Sequence, residues 1–239
     1  MSRMVGRAAV MAAVWVLAAC AGPEIPFDRA SAPEIKAIGV LTPDIPQTPT
    51  VRLASDVGQS FGLVGGLIDA AMESKRNDRF GAVLIEHDFS VGSTLSQDLV
   101  ASLKSHGYAA KLVPVYRSKS GFLKSYPTAA ETGVDAYLDV SAVGIGYGYV
   151  AAGIGSSQPY RPFVWLDCKL VRASDASVLM QDRVMYNPIG EGPKQITISP
   201  DPTFQFTDFD TLMAGQEQAY ADLQAALRQT ANQMGALVR

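Results

Sequence analysis

Apolar positions recur at two different periods along the chain, and the switching between them outlines the fold. Residues 35–41 (IKAIGVL) are apolar and β-branched, and Thr42-Pro43 stops the run, which predicts a first strand. Residues 51–54 can form another short strand after the proline-broken loop PDIPQTPT. In residues 90–106 the spacing changes: Val91, Leu95, Leu99 and Leu103 recur every four positions, the stripe of an amphipathic helix. Gly107 follows where a left-handed residue closes a helix. Residues 108–116 return to a strand pattern, with Pro114 suggesting an edge or a bulge. A short helix closing at residues 129–132 leads into a strand that opens GVDAYLDV. Residues 163–172 (FVWLDCKLVR) and 178–186 (VLMQDRVMY) flank a polar turn and predict a hairpin. Residues 187–210 are rich in proline and read as irregular. Residues 212–238 predict a long final helix, capped by Asp208 or Asp210, with a loose apolar stripe. The pattern predicts an α/β (α+β) fold: a single mixed sheet of about five strands, amphipathic helices packed on it, and a long C-terminal helix.

Two stretches depart from ordinary patterning. Residues 61–72 (FGLVGGLIDAAM) are mostly apolar, contain Gly62, Gly65 and Gly66, and turn abruptly into the charged run ESKRNDR. They read as a buried helix whose glycines permit close packing. The alternative is a helix that touches lipid or another subunit, because small residues at this spacing let backbones approach. Residues 140–157 carry no charge, and Tyr147 and Tyr149 interleave with Gly144, Gly146 and Gly148. Exposed apolar patches mark interfaces. The candidate contact residues are therefore Gly62, Gly65, Gly66, Gly144, Gly146, Tyr147, Gly148 and Tyr149.

The start of the chain has the three parts of a secretory signal. Arg3 and Arg7 form a basic region, and residues 8–16 (AAVMAAVWV) an apolar run too short to span a bilayer. Leu17-Ala18-Ala19-Cys20 resembles the bacterial lipobox. That resemblance implies diacylglyceryl attachment to the Cys20 sulfur, cleavage before it, and further acylation of the new amino group. More than one chain gives stable anchoring. Ala21 and Gly22 follow, without the aspartate that marks retention in the inner membrane, which implies an outer-membrane anchor facing the periplasm. The expected organisation is a signal peptide over residues 1–19, a lipidated cysteine and flexible tether over 20–34, and one periplasmic α/β domain over 35–239.

Removing residues 1–19 leaves 18 basic against 23 acidic side chains, a net charge of −5, and no long basic stripe. Nucleic acid is excluded as a partner on that ground. Cys168 is the one cysteine besides Cys20, alternates with Val164, Leu166 and Leu170, and reads as a small buried hydrophobe. His87 and His106 are the only histidines, and neither has a second ligand at zinc spacing, so no metal is expected. Glu86-His87-Asp88 reads as a polar loop, because consecutive side chains fan apart. Gly144-Ile145-Gly146-Tyr147-Gly148 lacks the spacing of a dinucleotide fingerprint. Asp135 and Asp139, four apart on a strand, share a face and read as solvated. No catalytic constellation and no cofactor are expected.

The order of first strand, helix ending at Gly107, GVDAYLDV strand and hairpin resembles the α/β domains of curli-secretion lipoproteins and of lipoprotein activators of cell-wall synthases. The resemblance spans residues 35–186. It implies a non-enzymatic, membrane-anchored accessory or assembly subunit of the envelope, working through an envelope partner or self-association. An oligomeric pore or secretion subunit is the alternative, and an envelope hydrolase a third.

Overall fold

A computed structural model describes residues 24–46, 48–55, 62–86, 89–152, 156–188 and 195–239, with backbone placement alone for 53–55, 62–72, 85, 149–152 and 156–157. Its centre is one mixed sheet of seven strands: β1 (Ala37–Leu41), β2 (Thr50–Ser55), β3 (Ala109–Val113), β4 (Ala136–Ala152), β5 (Ser156–Arg172), β6 (Val178–Tyr186) and β7 (Ile196–Ile198). The helices are α1 (Gly62–Glu86), α2 (Val91–Ser105), α3 (Ala129–Thr132), α4 (Phe209–Ala214) and α5 (Gln216–Ala236).

The mixed α/β class holds, with two strands more than the five expected. The short β7 lies inside the segment read as irregular and pairs in parallel with β6. The strand order is β3-β1-β4-β5-β6-β7. Both β1 and β2 run parallel to β4 along the same edge: Ile38–Val40 lie beside Ala136–Leu138, and Thr50–Ser55 beside Gly146–Ala151. Asp44 bridges to Ser141 between them. Strands β4 and β5 form a long antiparallel hairpin. Strand β3 is the edge and stops at Val113, ahead of Pro114, which has no N–H to extend it.

One face of the sheet carries the main core. Val140, Ile145, Val164, Leu166, Cys168 and Leu170 point there, against Leu95, Leu99 and Leu103 of α2 and Leu223, Leu227 and Met234 of α5. The expected α2 stripe is therefore the buried one. Ser90 caps α2 by accepting from the Ser93 N–H, and Gly107 closes it at φ +87°. Cys168 is fully buried, and that burial pushes its thiol well above the usual range. The final helix is broken, not continuous. Asp208 caps α4, and at Gly215 a Cβ would lie 2.8 Å from the Phe206 ring, so the chain re-enters α5 around a glycine.

Residues 25–35, expected within or beside a free tether, dock on the domain. Ile25 exchanges backbone hydrogen bonds with Gln181 at 2.8 and 2.9 Å. Ala32 and Ile35 are buried, Phe27 packs on the core, and the Arg29 guanidinium sits 5.0 Å over the Tyr108 ring. Helix α1 continues through ESKRNDR to Glu86, so the charged run is part of the helix and not its end. Among the described residues no helix is long and apolar enough to cross a membrane.

Candidate functional site

Alternation along β4 separates the glycines from the tyrosine that was grouped with them. Tyr147 points into the main core and is fully buried. Its hydroxyl donates to the Ala219 carbonyl at 2.7 Å, and its ring meets Phe80 and Phe206 edge-on. Its contacts are internal because the β pleat turns it away from solvent, which corrects its assignment to a contact surface. Burial also holds its hydroxyl neutral, well above the usual tyrosine range.

Gly144 and Gly146 lie on the other face, opposite Trp165 and Phe163 of β5. A Cβ on Gly144 would stand 3.0 Å from Phe163 Cε2 and 3.6 Å from Trp165 Cε3. The two rings are 4.9 Å apart, with the Arg52 guanidinium 5.7 Å over Phe163. At Gly146 the backbone has φ +153°, and a Cβ would fall 1.8 Å from the Thr50 carbonyl oxygen. These glycines let β2 and two aromatic rings close over β4. Gly148 pairs with Arg161 and Arg52 by register.

Gly62, Gly65 and Gly66 open α1, and Tyr149 lies on β4 just past Gly148. Topology brings these two regions together. Strand β2 runs outward beside β4 to the pair Ser55–Ala151. Helix α1 then returns: Asn77 Oδ1 accepts from the Val51 N–H at 2.6 Å, and Gly81 lies against Thr48. At 1.5 Å per residue the first fifteen residues of α1 extend about 22 Å outward from that contact. The apolar start of α1 and the outer end of the β4–β5 hairpin therefore share one end of the molecule. Cys20, His87 and Asp88 lie outside the described residues.

A second locus, not anticipated in the sequence, covers the opposite face near β1. Residues 114–127 fold over a small core of Leu41, Val113, Val134 and Tyr137. Asp139, read as solvated, is fully buried beneath them. It accepts from Arg117 Nη2 at 2.6 Å, the Leu123 N–H at 2.8 Å and the Tyr126 hydroxyl at 3.1 Å. Arg117 also donates to the Thr42 and Gly121 carbonyls at 2.8 and 3.0 Å. Asp44 accepts from the Gly121 N–H at 2.5 Å and the Ser141 hydroxyl at 3.2 Å. Tyr126 stacks on Tyr137, and burial first, then the Asp139 charge, raises its hydroxyl well above the usual range. The segment lines an open pocket of about 520 Å³, beside another of about 350 Å³ lined in part by Asp44, Arg52 and Gly144. Asp135 does separate work, accepting the Lys36 and Ala37 N–H groups at 2.9 and 2.8 Å. The two aspartates therefore do not form a catalytic pair. Among the described residues no group of three or more His, Cys, Asp or Glu side chains could hold a metal.

No family model matches the chain, and no curated protein matches it. Solved structures do. The PelC dodecamer from Paraburkholderia phytofirmans is 8% identical, with a TM-score of 0.38 over 91% of this chain and 96% of that one. Protein XCC0632 from Xanthomonas campestris, of the DUF330 family, is 12% identical, with a TM-score of 0.36 over 90% and 84%.

Proposed function

We propose that this is a lipid-anchored, non-catalytic accessory subunit of the cell envelope, held at the periplasmic side of the outer membrane through Cys20, which acts by self-association or by contact with an envelope protein. The observation that carries the reading is the convergence of two uncharged, glycine-containing segments, the start of α1 and the outer β4–β5 hairpin, at one end of the sheet. Residues 149–152 and 156–160 hold no charged side chain. A segment of that composition suits burial against protein.

The pore alternative fits less well. Beyond the Gly148–Arg161 pair the hairpin arms have four and five residues, 149–152 and 156–160. A strand crossing a bilayer needs about 9–11. The inner parts of the arms carry core side chains, Val140, Ile145, Tyr147 and Val164, which cannot turn to lipid without opening the core.

The test is the mass in solution of the mature chain, with Leu67→Lys and Val150→Lys as variants that put charge into the two segments. Assembly larger than a monomer, or a crosslinked envelope partner in cells, that either charge abolishes is the expected result. A monomer at all concentrations with no partner captured would sink the reading. Mass spectrometry of the N-terminal peptide reads acylation at Cys20 directly, and Cys20→Ser removes it.

A further inference from the structure

We propose that the cup formed by residues 115–127 binds the phosphate group of an anionic lipid headgroup. The cup is built before any ligand arrives. Its backbone is pinned from below by two carboxylates, Asp139 through Arg117, Leu123 and Tyr126, and Asp44 through Gly121. A preformed loop loses little entropy on binding. Its volume, about 520 Å³, is within the ~300–1,000 Å³ span of small-molecule sites.

The lining decides the ligand class. Lys119 and Lys124 are its only charged side chains, and no carboxylate joins them. Among the described residues neither lysine is in an ion pair. The buried Asp139 charge is matched by Arg117, and Asp44 lines the neighbouring cavity with Arg52, so neither carboxylate joins the lysines in the cup. Lys169 adds a third cation, its ammonium 4.3 Å over the Phe122 ring that forms part of the wall. Ser118, Ser120 and Ser125 supply hydroxyl donors. The Arg117 fork, which matches carboxylate and phosphate alike, is already consumed below. Lysine ammonium groups bind a phosphate as point charges, and the serine hydroxyls add donors to its oxygens. Tyr116, 89% exposed at the rim, is a side chain suited to the boundary between water and acyl chains.

The lipid source rests on Cys20 being acylated. Ile25 bridges to Gln181, which is level with Lys169 and Asp139 across β6, β5 and β4. Three strand spacings put Ile25 about 14 Å from the Asp139 row. Ile25 follows Cys20 by five chain steps, a reach of at most about 18 Å. The anchor therefore tethers this part of the sheet within roughly 32 Å of the acylated sulfur, a reach that includes the headgroup layer.

The experiment uses the Cys20→Ser chain, so that no anchor contributes, with two probes: inorganic phosphate by calorimetry, and flotation with phosphatidylglycerol or pure phosphatidylcholine vesicles. The Lys119→Gln, Lys124→Gln variant is compared with a control losing two exposed lysines elsewhere, Lys75→Gln and Lys104→Gln. Lysine-dependent binding to phosphatidylglycerol vesicles, absent with phosphatidylcholine and weakened at least about tenfold by the loop variant alone, is the expected result. Lysine-dependent binding of inorganic phosphate without vesicle binding supports a phosphate site and overturns the headgroup. Equal losses in the loop and control variants, or no binding of either probe, overturn the proposal. An unacylated Cys20 in cells would remove the anchor without touching the lysine dependence.

Discussion

Replacing Arg117 with Met tests whether the loop over the second sheet face is held by charge. Methionine keeps the length and apolar stem of the side chain but removes its charge and donors. Asp139 is fully buried, and Arg117 is 9% exposed. The change leaves a buried carboxylate with two neutral donors, Leu123 N–H and Tyr126 hydroxyl, and no counter-charge. Stranding one member of a buried ion pair costs about 3–5 kcal/mol, a large share of the ~5–15 kcal/mol that holds a domain folded. Asp139→Asn should cost less, about 1–3 kcal/mol, because Arg117 keeps the Thr42 and Gly121 carbonyls as acceptors. In the double variant the losses should fall short of the sum. Urea unfolding followed by circular dichroism measures the three variants against wild type. Trypsin should cut sooner after Lys119 and Lys124 in Arg117→Met. Single losses that add in full in the double variant would assign the cost to packing and refute the electrostatic account.

Three further outcomes follow from particular contacts. Gly146→Ala should cost more than about 3 kcal/mol, because its Cβ would collide with the Thr50 carbonyl at φ +153°, whereas Gly107→Ala, at φ +87° in open space, should cost about 1–2 kcal/mol; equal costs in urea unfolding would contradict the β2–β4 geometry. Tyr147→Phe should cost about 0.5–1.5 kcal/mol, the net value of its hydrogen bond to Ala219, and a thermal melt unchanged by the substitution would place the hydroxyl outside that bond. Asp222 is buried, and burial raises its carboxyl above the ordinary range despite the Gln218 amide donating to it at 2.5 Å. Its ionisation therefore weakens the fold as pH rises from the unfolded value through the raised folded one. Asp222→Asn should be more stable than wild type at pH 7, with the difference shrinking toward pH 4; a variant that loses stability at pH 7 refutes the sign.

Local periodicity made much of the sheet and the α2 helix legible, and it failed where a residue's role depended on a distant partner. The fourfold spacing of Val91 to Leu103 and the alternation around Cys168 each state which face is buried, and both faces are buried. The alternation also placed Asp139 on the face away from Cys168. It carried no information on whether that face was covered, because the cover is a loop of no regular period, and its key residue, Arg117, lies 22 positions away. The signal available was compositional: YRSKSGFLKSYP combines one Arg, two Lys and three aromatics in twelve residues. Gly215 escaped notice for a similar reason, since the clash that demands it is with Phe206 in the preceding loop.

The glycines show what the structure adds to a composition argument. As a sequence, Gly144, Gly146 and Gly148 resembled Gly62, Gly65 and Gly66, and all six were grouped as contact candidates with Tyr147. The fold accounts for Gly144 by the Phe163 and Trp165 rings laid over it, for Gly146 by the Thr50 carbonyl pressed against it, and for Tyr147 by its place in the core. An internal contact that already requires a glycine removes the need for a partner to explain it. The start of α1 and the hairpin beyond Gly148 bring uncharged sequence to one end of the sheet. The partner-facing reading thus narrows from two long segments to that one end, which is where a single introduced lysine, at position 67 or 150, has the most to disrupt.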